Sequence, residues 1–214
     1  MILMTSTVKN EYDVVIIGAG PAGIFTAMEM LKKGSKKKIL MIEKGCAIEK
    51  RRCPKSQTEE CVHCKPCNIT TGFSGAGAFS DGKLSLSYEV GGDLPVLIGE
   101  NKVQETIDYT DGIYLEFGAD EHVEGVGNKE EVKEIRKRAI QAGLKLVDCP
   151  IRHLGTEKAQ EIYYAIEQYL IENGVEIRFG CECENLILRD GVCYGAVIRQ
   201  KDSVYEVSAE SIVV

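Results

Sequence analysis

Two clusters in this chain hold residue types at spacings that can do chemistry. The first is Gly18-Ala-Gly20-Pro21-Ala22-Gly23, which follows the apolar run Val14–Ile17 and precedes Glu43. An apolar strand that meets a glycine turn opening a helix makes a seat for a pyrophosphate. Gly18 allows the tight turn, Gly20 lets backbone amides approach the phosphates, and Gly23 lets the helix pack close to the strand. Pro21 suits the first helical turn, where its missing N–H costs nothing. The free amides of that turn, Ala22 among them, then face an anion. Glu43, about twenty residues on, stands where a carboxylate accepts hydrogen bonds from an adenosine ribose. The alternative is a plain glycine-rich turn, but here every element that a dinucleotide site requires is in place.

The second cluster is Cys53, Cys61, Cys64 and Cys67, spaced C-x7-C-x2-C-x2-C. A C-x2-C pair folds two thiolates onto one centre, and a second pair nearby completes a tetrahedral sulfur set that suits zinc or an iron–sulfur cluster. The ferredoxin run is not matched. Lys44, Lys50, Arg51, Arg52, Lys55 and Lys65 make the region positive and favour thiolate. His63 is a substitute ligand by position. The other reading is free thiols in a loop, or a disulfide. Cys46, Cys149, Cys181, Cys183 and Cys193 are dispersed and read as small apolar packing residues.

A further glycine-rich stretch runs from Gly72 through Gly75-Ala76-Gly77 to Ser80-Asp81-Gly82-Lys83-Leu84. Small residues in succession let main chain lie against a flat or anionic ligand. Lys83 offers a cation there and Asp81 a group to orient it; a solvated turn is the plainer account.

The elements that must position these residues follow from periodicity. Tyr12–Ile17 and Lys38–Ile42 read as buried parallel strands flanking a helix over Ala22–Lys33 that stops at Gly34. Residues 44–92 have little periodicity. Helices are expected over Asn101–Phe117, from an Asn128 cap with Glu131 completing a capping box to Ala142, and from a Thr156 cap to Asn173-Gly174. Ala159, Ile162, Tyr163, Ile166 and Leu170 form the buried stripe of the last. Val175–Phe179 is a strand, and Asn185–Arg189, Val192–Gln200 and Ser203–Val207 form an antiparallel meander turning at Asp190-Gly191. Ser211–Val214 reads as a separate buried strand.

These elements make an α/β fold. Residues 1–50 and 155–214 are expected to form a Rossmann-like core, and 51–154 an insertion carrying the cysteine loop, the glycine-rich loop and helices. Composition is that of an ordinary globular chain: 214 residues, 44% hydrophobic and 28% charged. The net charge of −7 argues against a nucleic-acid partner. No apolar run reaches membrane-span length, and Met1–Asn10 has no signal-peptide layout. Nine cysteines without a secretion signal point to a reducing cytoplasm.

Gly18–Gly23 followed by Glu43-Lys44-Gly45 resembles the opening of glutathione-reductase-type two-dinucleotide-binding flavoproteins. More specifically, Gly75–Leu84, Ile151-Arg-His-Leu-Gly-Thr156 and the cysteine loop resemble the bacterial FAD-dependent dehydrogenases of largely unassigned substrate, over nearly the whole chain. The resemblance implies FAD with its pyrophosphate at Gly18–Gly23 and its ribose at Glu43, beside Lys44. It further implies Gly75, Ala76 and Gly77 near pyrophosphate and isoalloxazine, and adenine near Cys183. Members of that family continue past Ile-Val-Val into an Ala-Thr-Gly-like turn and a later Gly-Asp segment, so the chain is expected to be the N-terminal portion of a longer flavoenzyme, truncated at its C-terminus.

The chemistry expected is therefore that of an FAD-dependent oxidoreductase acting on an unidentified small molecule, with Lys83 and His153 the first side chains to test. NAD(P) at the same motif is the alternative, though the long excursion after the second strand suits it poorly. A metal- or redox-sensing module centred on the cysteine loop is the non-enzymatic reading.

Overall fold

The computed structural model describes residues 10–214, so the reading of the leader region up to Lys9 lies outside the described residues. In chain order the elements are β1 (Glu11–Ile17), α1 (Pro21–Lys32), β2 (Ile39–Glu43), a short α2 (Lys55–Thr58), β3 (Lys83–Ser85), α3 (Leu94–Ile98), α4 (Glu100–Glu116), α5 (Lys129–Gln141), β4 (Ile151–His153), α6 (Thr156–Glu172), β5 (Glu176–Phe179), β6 (Cys181–Arg189), β7 (Val192–Gln200) and β8 (Ser203–Val213). They fall into two compact units. One holds the described residues up to Ala78 with Tyr163–Val214; the other is Phe79–Ile162.

The first unit is built on a six-stranded sheet in the order β5-β2-β1-β8-β7-β6. β5, β2, β1 and the end of β8 run parallel, and β8, β7 and β6 run antiparallel. The expected α/β architecture, a parallel sheet joined to an antiparallel meander, is what the chain forms. Every residue of β2 is buried, as an apolar run in a parallel sheet covered on both faces should be. Tyr12, Val15, Leu40, Ile42, Ala196, Ile198 and Val207 pack as one core across both halves of the sheet. Each large aliphatic side chain there contributes roughly 1.5–3 kcal/mol of burial.

β8 differs from the sequence expectation. It is one continuous strand, not a meander strand followed by a separate one. Ser203–Ser208 pair antiparallel with β7, and Ser208–Val213 pair parallel with β1. Ser208 is the residue at which the strand changes partners, belonging to both pairings. Asp190 and Gly191 both have positive φ (50° and 77°), the signature of the expected tight hairpin turn.

In the second unit, β3 and β4 pair antiparallel, with Lys83 opposite His153 and Leu84 opposite Arg152. Arg152 is buried against Asp111: Nε donates to Oδ1 at 2.5 Å and Nη2 to Oδ2 at 2.7 Å. Helix α5 buries none of its residues. Two caps form differently from expectation. Asn128 adopts the left-handed conformation (φ 48°), so its side chain bonds Glu131 directly and makes no hydrogen bond to the helix amides. Thr156 is already helical: Gly155 O accepts the first bond, from Ala159 N, and the Thr156 hydroxyl donates to Ser80 O at 3.1 Å.

The sequence assigned the cysteine loop to the insertion, whereas the structure packs it within the first unit. The reason is local. Arg51 and the main chain at Cys46 tie residues 68–75 to the segment that follows β2.

Candidate functional site

The carboxyl ends of β1 and β2 hold the glycine turn and Glu43 side by side, where ligands of parallel α/β sheets bind. Gly18 has φ +102°, which L side chains rarely adopt, and its N–H donates to Ile42 O at 2.8 Å. No side chain caps the start of α1, whose first intrahelical bond runs from Ile24 N to Gly20 O. A Cβ on Gly20 would meet nothing within 4 Å, so the turn leaves open space in front of the helix. Pro21 is at the first helical position, as its fixed φ favours. This is a cradle for an anion, and it fits a dinucleotide pyrophosphate.

Glu43 is buried at the end of β2. Its Oε2 accepts from Ala19 N at 3.0 Å and its Oε1 from Gly45 N at 2.7 Å. The carboxylate thus clamps the glycine turn to the segment after β2. Each oxygen retains lone-pair capacity for a ribose hydroxyl. Lys44 beside it is exposed and pairs with Glu182 at 3.7 Å.

The second wall comes from residues 70–75. Cys46 bridges Gly72 in parallel fashion, Phe73 N donates to Cys46 O at 3.0 Å, and Ser74 N to Ala19 O at 2.8 Å. This approach needs glycine: a Cβ on Gly45 would lie 2.4 Å from Gly72 N. Together Gly18, Gly20, Glu43, Lys44, Thr70–Gly72, Gly75 and Cys181–Cys183 line one cleft of about 400 Å³. Burial pushes the thiols of Cys181 and Cys183 up, which keeps them neutral beside it. Gly77 packs against Tyr163 and Ala76 is exposed; neither lines that cleft.

A larger cleft, about 1380 Å³, opens at the opposite end of β1 beside Tyr12, Lys38 and Tyr205. It has no glycine turn and no helix start. Its two tyrosine hydroxyls nearest β5 are engaged: Tyr12 donates to Glu176 Oε2 at 2.7 Å, and Arg178 donates to the Tyr12 and Tyr205 hydroxyls. Burial and the Glu176 contact push the Tyr12 hydroxyl up to about 12. The carboxyl-end cleft is the candidate site, on chemistry rather than size.

The four clustered cysteines are the expected metal ligands. All nine cysteines are free, and among the described residues no three His, Cys, Asp or Glu side chains gather as a group that could hold a metal. Cys53, Cys61, Cys64, Cys67 and His63 do line one cleft of about 320 Å³. Their loop carries the short helix α2 and left-handed residues at Glu59 and His63. The arrangement gives no support to zinc or an iron–sulfur cluster. Cys67 is exposed, and the N–H groups of Ile69 and Thr70 hold its pKa below the usual thiol range.

Lys83 and His153 lie in the second unit. Lys83 pairs with Asp81 at 2.8 Å, as expected of two groups that orient one another, and His153 Nδ1 lies 3.8 Å from Glu124 Oε1. The roles of two residues escaped the sequence reading. Arg51 bonds main-chain carbonyls, for which no residue pattern exists. Glu167 is buried, accepts from Ile48 N at 3.0 Å, and burial pushes it up to about 7. Its spacing was legible: it shares the stripe of Tyr163 and Leu170 on α6.

A family model described as pyridine nucleotide-disulphide oxidoreductase matches residues 12–134. An uncharacterized protein of Clostridium beijerinckii is 25% identical over 194 residues, covering 90% of this chain and 29% of its own length. Digeranylgeranylglycerophospholipid reductase of Methanosarcina mazei is 28% identical over 186 residues, covering 80% of this chain and 40% of its own. Among solved structures, a 3-ketosteroid-Δ4-(5α)-dehydrogenase of Rhodococcus jostii aligns over 99% of this chain and 47% of its own at 15% identity, with a TM-score of 0.58. That likeness is one of fold. The chain thus spans 29% and 40% of the length of the two curated relatives. Among the described residues no helix is long and apolar enough to cross a membrane.

Proposed function

Because the chain belongs to the pyridine nucleotide-disulphide oxidoreductase family, we propose that it is the FAD-binding portion of a flavin-dependent oxidoreductase acting on a small molecule. The observation that carries this reading is the uncapped start of α1 opening onto a cleft that Glu43 and Cys183 also line. Gly18, Gly20, Pro21, Ala22 and Gly23 receive the pyrophosphate on exposed amides. Glu43 receives the ribose, with Lys44 at the cleft edge and the strand at Cys183 alongside the adenine. Gly75, with Ala76 and Gly77 following, runs toward the flavin end.

FAD supplies hydride-transfer chemistry when bound; the protein supplies binding, orientation and electrostatics. Lys83 and His153 are the candidates for stabilising charge and moving a proton. The net charge of −7 supports a small-molecule partner over nucleic acid, and the odd count of nine cysteines supports a reducing cytoplasm. FAD is favoured over NAD(P) because the long excursion after β2 returns residues 70–75 as a wall of the cleft, where a Rossmann connection would be short.

Titration with FAD, NAD and NADP followed by calorimetry tests this reading. The expected result is saturable FAD binding with the oxidised-flavin band near about 450 nm, and weaker or no binding of the nicotinamide nucleotides. A chain that takes up no FAD overturns it.

A further inference from the structure

Arg51 has no part in the cofactor contacts above, yet it is only 3% exposed. Its Nε donates to Asn68 O at 2.9 Å and its Nη2 to Ile69 O at 2.7 Å. Its Nη1 donates to Phe73 O and Gly75 O, both at 2.6 Å, and lies 3.3 Å from Ser74 Oγ. One guanidinium therefore gathers four main-chain carbonyls and a hydroxyl from a single segment. That segment lines the cofactor cleft through Thr70, Thr71, Gly72 and Gly75. The side chain passes directly over Gly72, where a Cβ would stand 2.6 Å from Arg51 Cδ.

Burying a guanidinium is costly unless its donors are satisfied, and burial here pushes its pKa down while the Glu43 carboxylate acts against that. The carbonyls offset the cost through charge-assisted hydrogen bonds. Their direction matters. A carbonyl oxygen aimed at the cleft would repel a pyrophosphate, whereas one aimed at Arg51 does not.

We infer that Arg51 is a positioning residue for the cofactor: it turns the carbonyls of segment 68–75 into the protein and holds Gly75 beside Gly20 and Pro21. A Cβ on Gly75 would lie 3.9 Å from both Gly20 Cα and Pro21 Cδ, so the two glycine turns are neighbours. The inference rests on the FAD reading. Lysine cannot substitute, because a single ammonium cannot span four carbonyls that a planar fork with five donors reaches.

The test is FAD titration of the wild-type chain, Arg51→Lys and Ser74→Ala, with far-UV circular dichroism for the fold, visible circular dichroism for the bound flavin, and hydrogen exchange at 68–75. Arg51→Lys is expected to weaken FAD by about tenfold or more, alter the visible flavin signal and speed exchange in the segment. Ser74→Ala, which removes one long hydrogen bond, is expected to weaken FAD about threefold with the fold unchanged. Wild-type affinity and an unaltered flavin signal in Arg51→Lys overturn the inference. If Arg51→Lys does not fold, unchanged FAD affinity in Ser74→Ala overturns it. A wild-type chain that binds no FAD defeats the cofactor reading and is visible before any variant is compared. Unchanged exchange at 68–75 in Arg51→Lys would then remove the positioning role as well.

Discussion

A Cβ on Gly23 would stand 2.1 Å from the carbonyl oxygen of Gly18 and 3.1 Å from Ile16 Cγ2. The first turn of α1 thus rests on the main chain of the turn that follows β1, and the cradle exists only at that separation. Gly23→Ala must push the helix start outward. Overpacking of this kind costs about 1–3 kcal/mol, to be read by urea unfolding. The displaced amides should also lose about tenfold or more in FAD affinity, since phosphate recognition depends on their positions. A Gly23→Ala chain with unchanged stability and FAD affinity would show that the helix start is not the anion seat.

Glu43 joins two buried amides, those of Ala19 and Gly45. Glu43→Ala leaves both without their acceptor, at about 1–3 kcal/mol for each unsatisfied group. Glu43→Gln retains one acceptor oxygen and should recover part of that loss. Urea denaturation of the pair measures the difference. Equal stabilities of the Ala and Gln variants would mean that the amides find other partners.

The glycine turn and Glu43 were legible because each acts through its own type and spacing: Gly18 through its φ, Gly23 through its missing Cβ, Glu43 through its place at a strand end. What the sequence concealed depends on where main chain goes. Arg51 looked like one cation among several, since the carbonyls it gathers have no residue signature. Asn128 and Glu131 matched a capping box in letters, but a left-handed backbone at Asn128 turned the side chain away from the helix amides. In the Arg-His-Leu-Gly-Thr motif the eye falls on His153 for its chemistry. It is Arg152, buried on Asp111, that the motif fixes in place.

Glu167 gives the first unit a pH dependence of defined sign. Burial raises its pKa from 4.5 to about 7 in the folded chain. The folded state then holds more protons than the unfolded state between those values, so the group's stabilising contribution is full below pH 4.5 and is lost as pH rises through about 7. The shift corresponds to about 3 kcal/mol at alkaline pH. Glu167→Gln mimics the neutral form and keeps an acceptor for Ile48 N. It should therefore match the wild type near pH 4 and exceed its stability by about 2–3 kcal/mol at pH 8. Parallel stability–pH curves for the two chains would refute the raised pKa.

Arg152 and Asp111 form a buried, bidentate ion pair in the second unit, with the side chains 5% and 13% exposed. Arg152 Nη1 also donates to Asp120 O, so the guanidinium holds the chain after α4 as well as the aspartate. Arg152→Met removes the cation and leaves a carboxylate in a poorly solvated place, which should cost about 3–5 kcal/mol. Arg152→Lys keeps the charge but loses the two parallel bonds, and should cost less than Met yet remain clearly destabilising. Removing both charges, with Arg152→Met and Asp111→Leu together, should recover much of the single-variant loss, because no uncompensated charge remains. Thermal and urea unfolding of the wild type, Arg152→Met, Asp111→Leu and the double variant completes the cycle. Strict additivity of the two single losses would mean that the pair contributes nothing as a pair, and that the bond to Asp120 alone explains why Arg152 is buried.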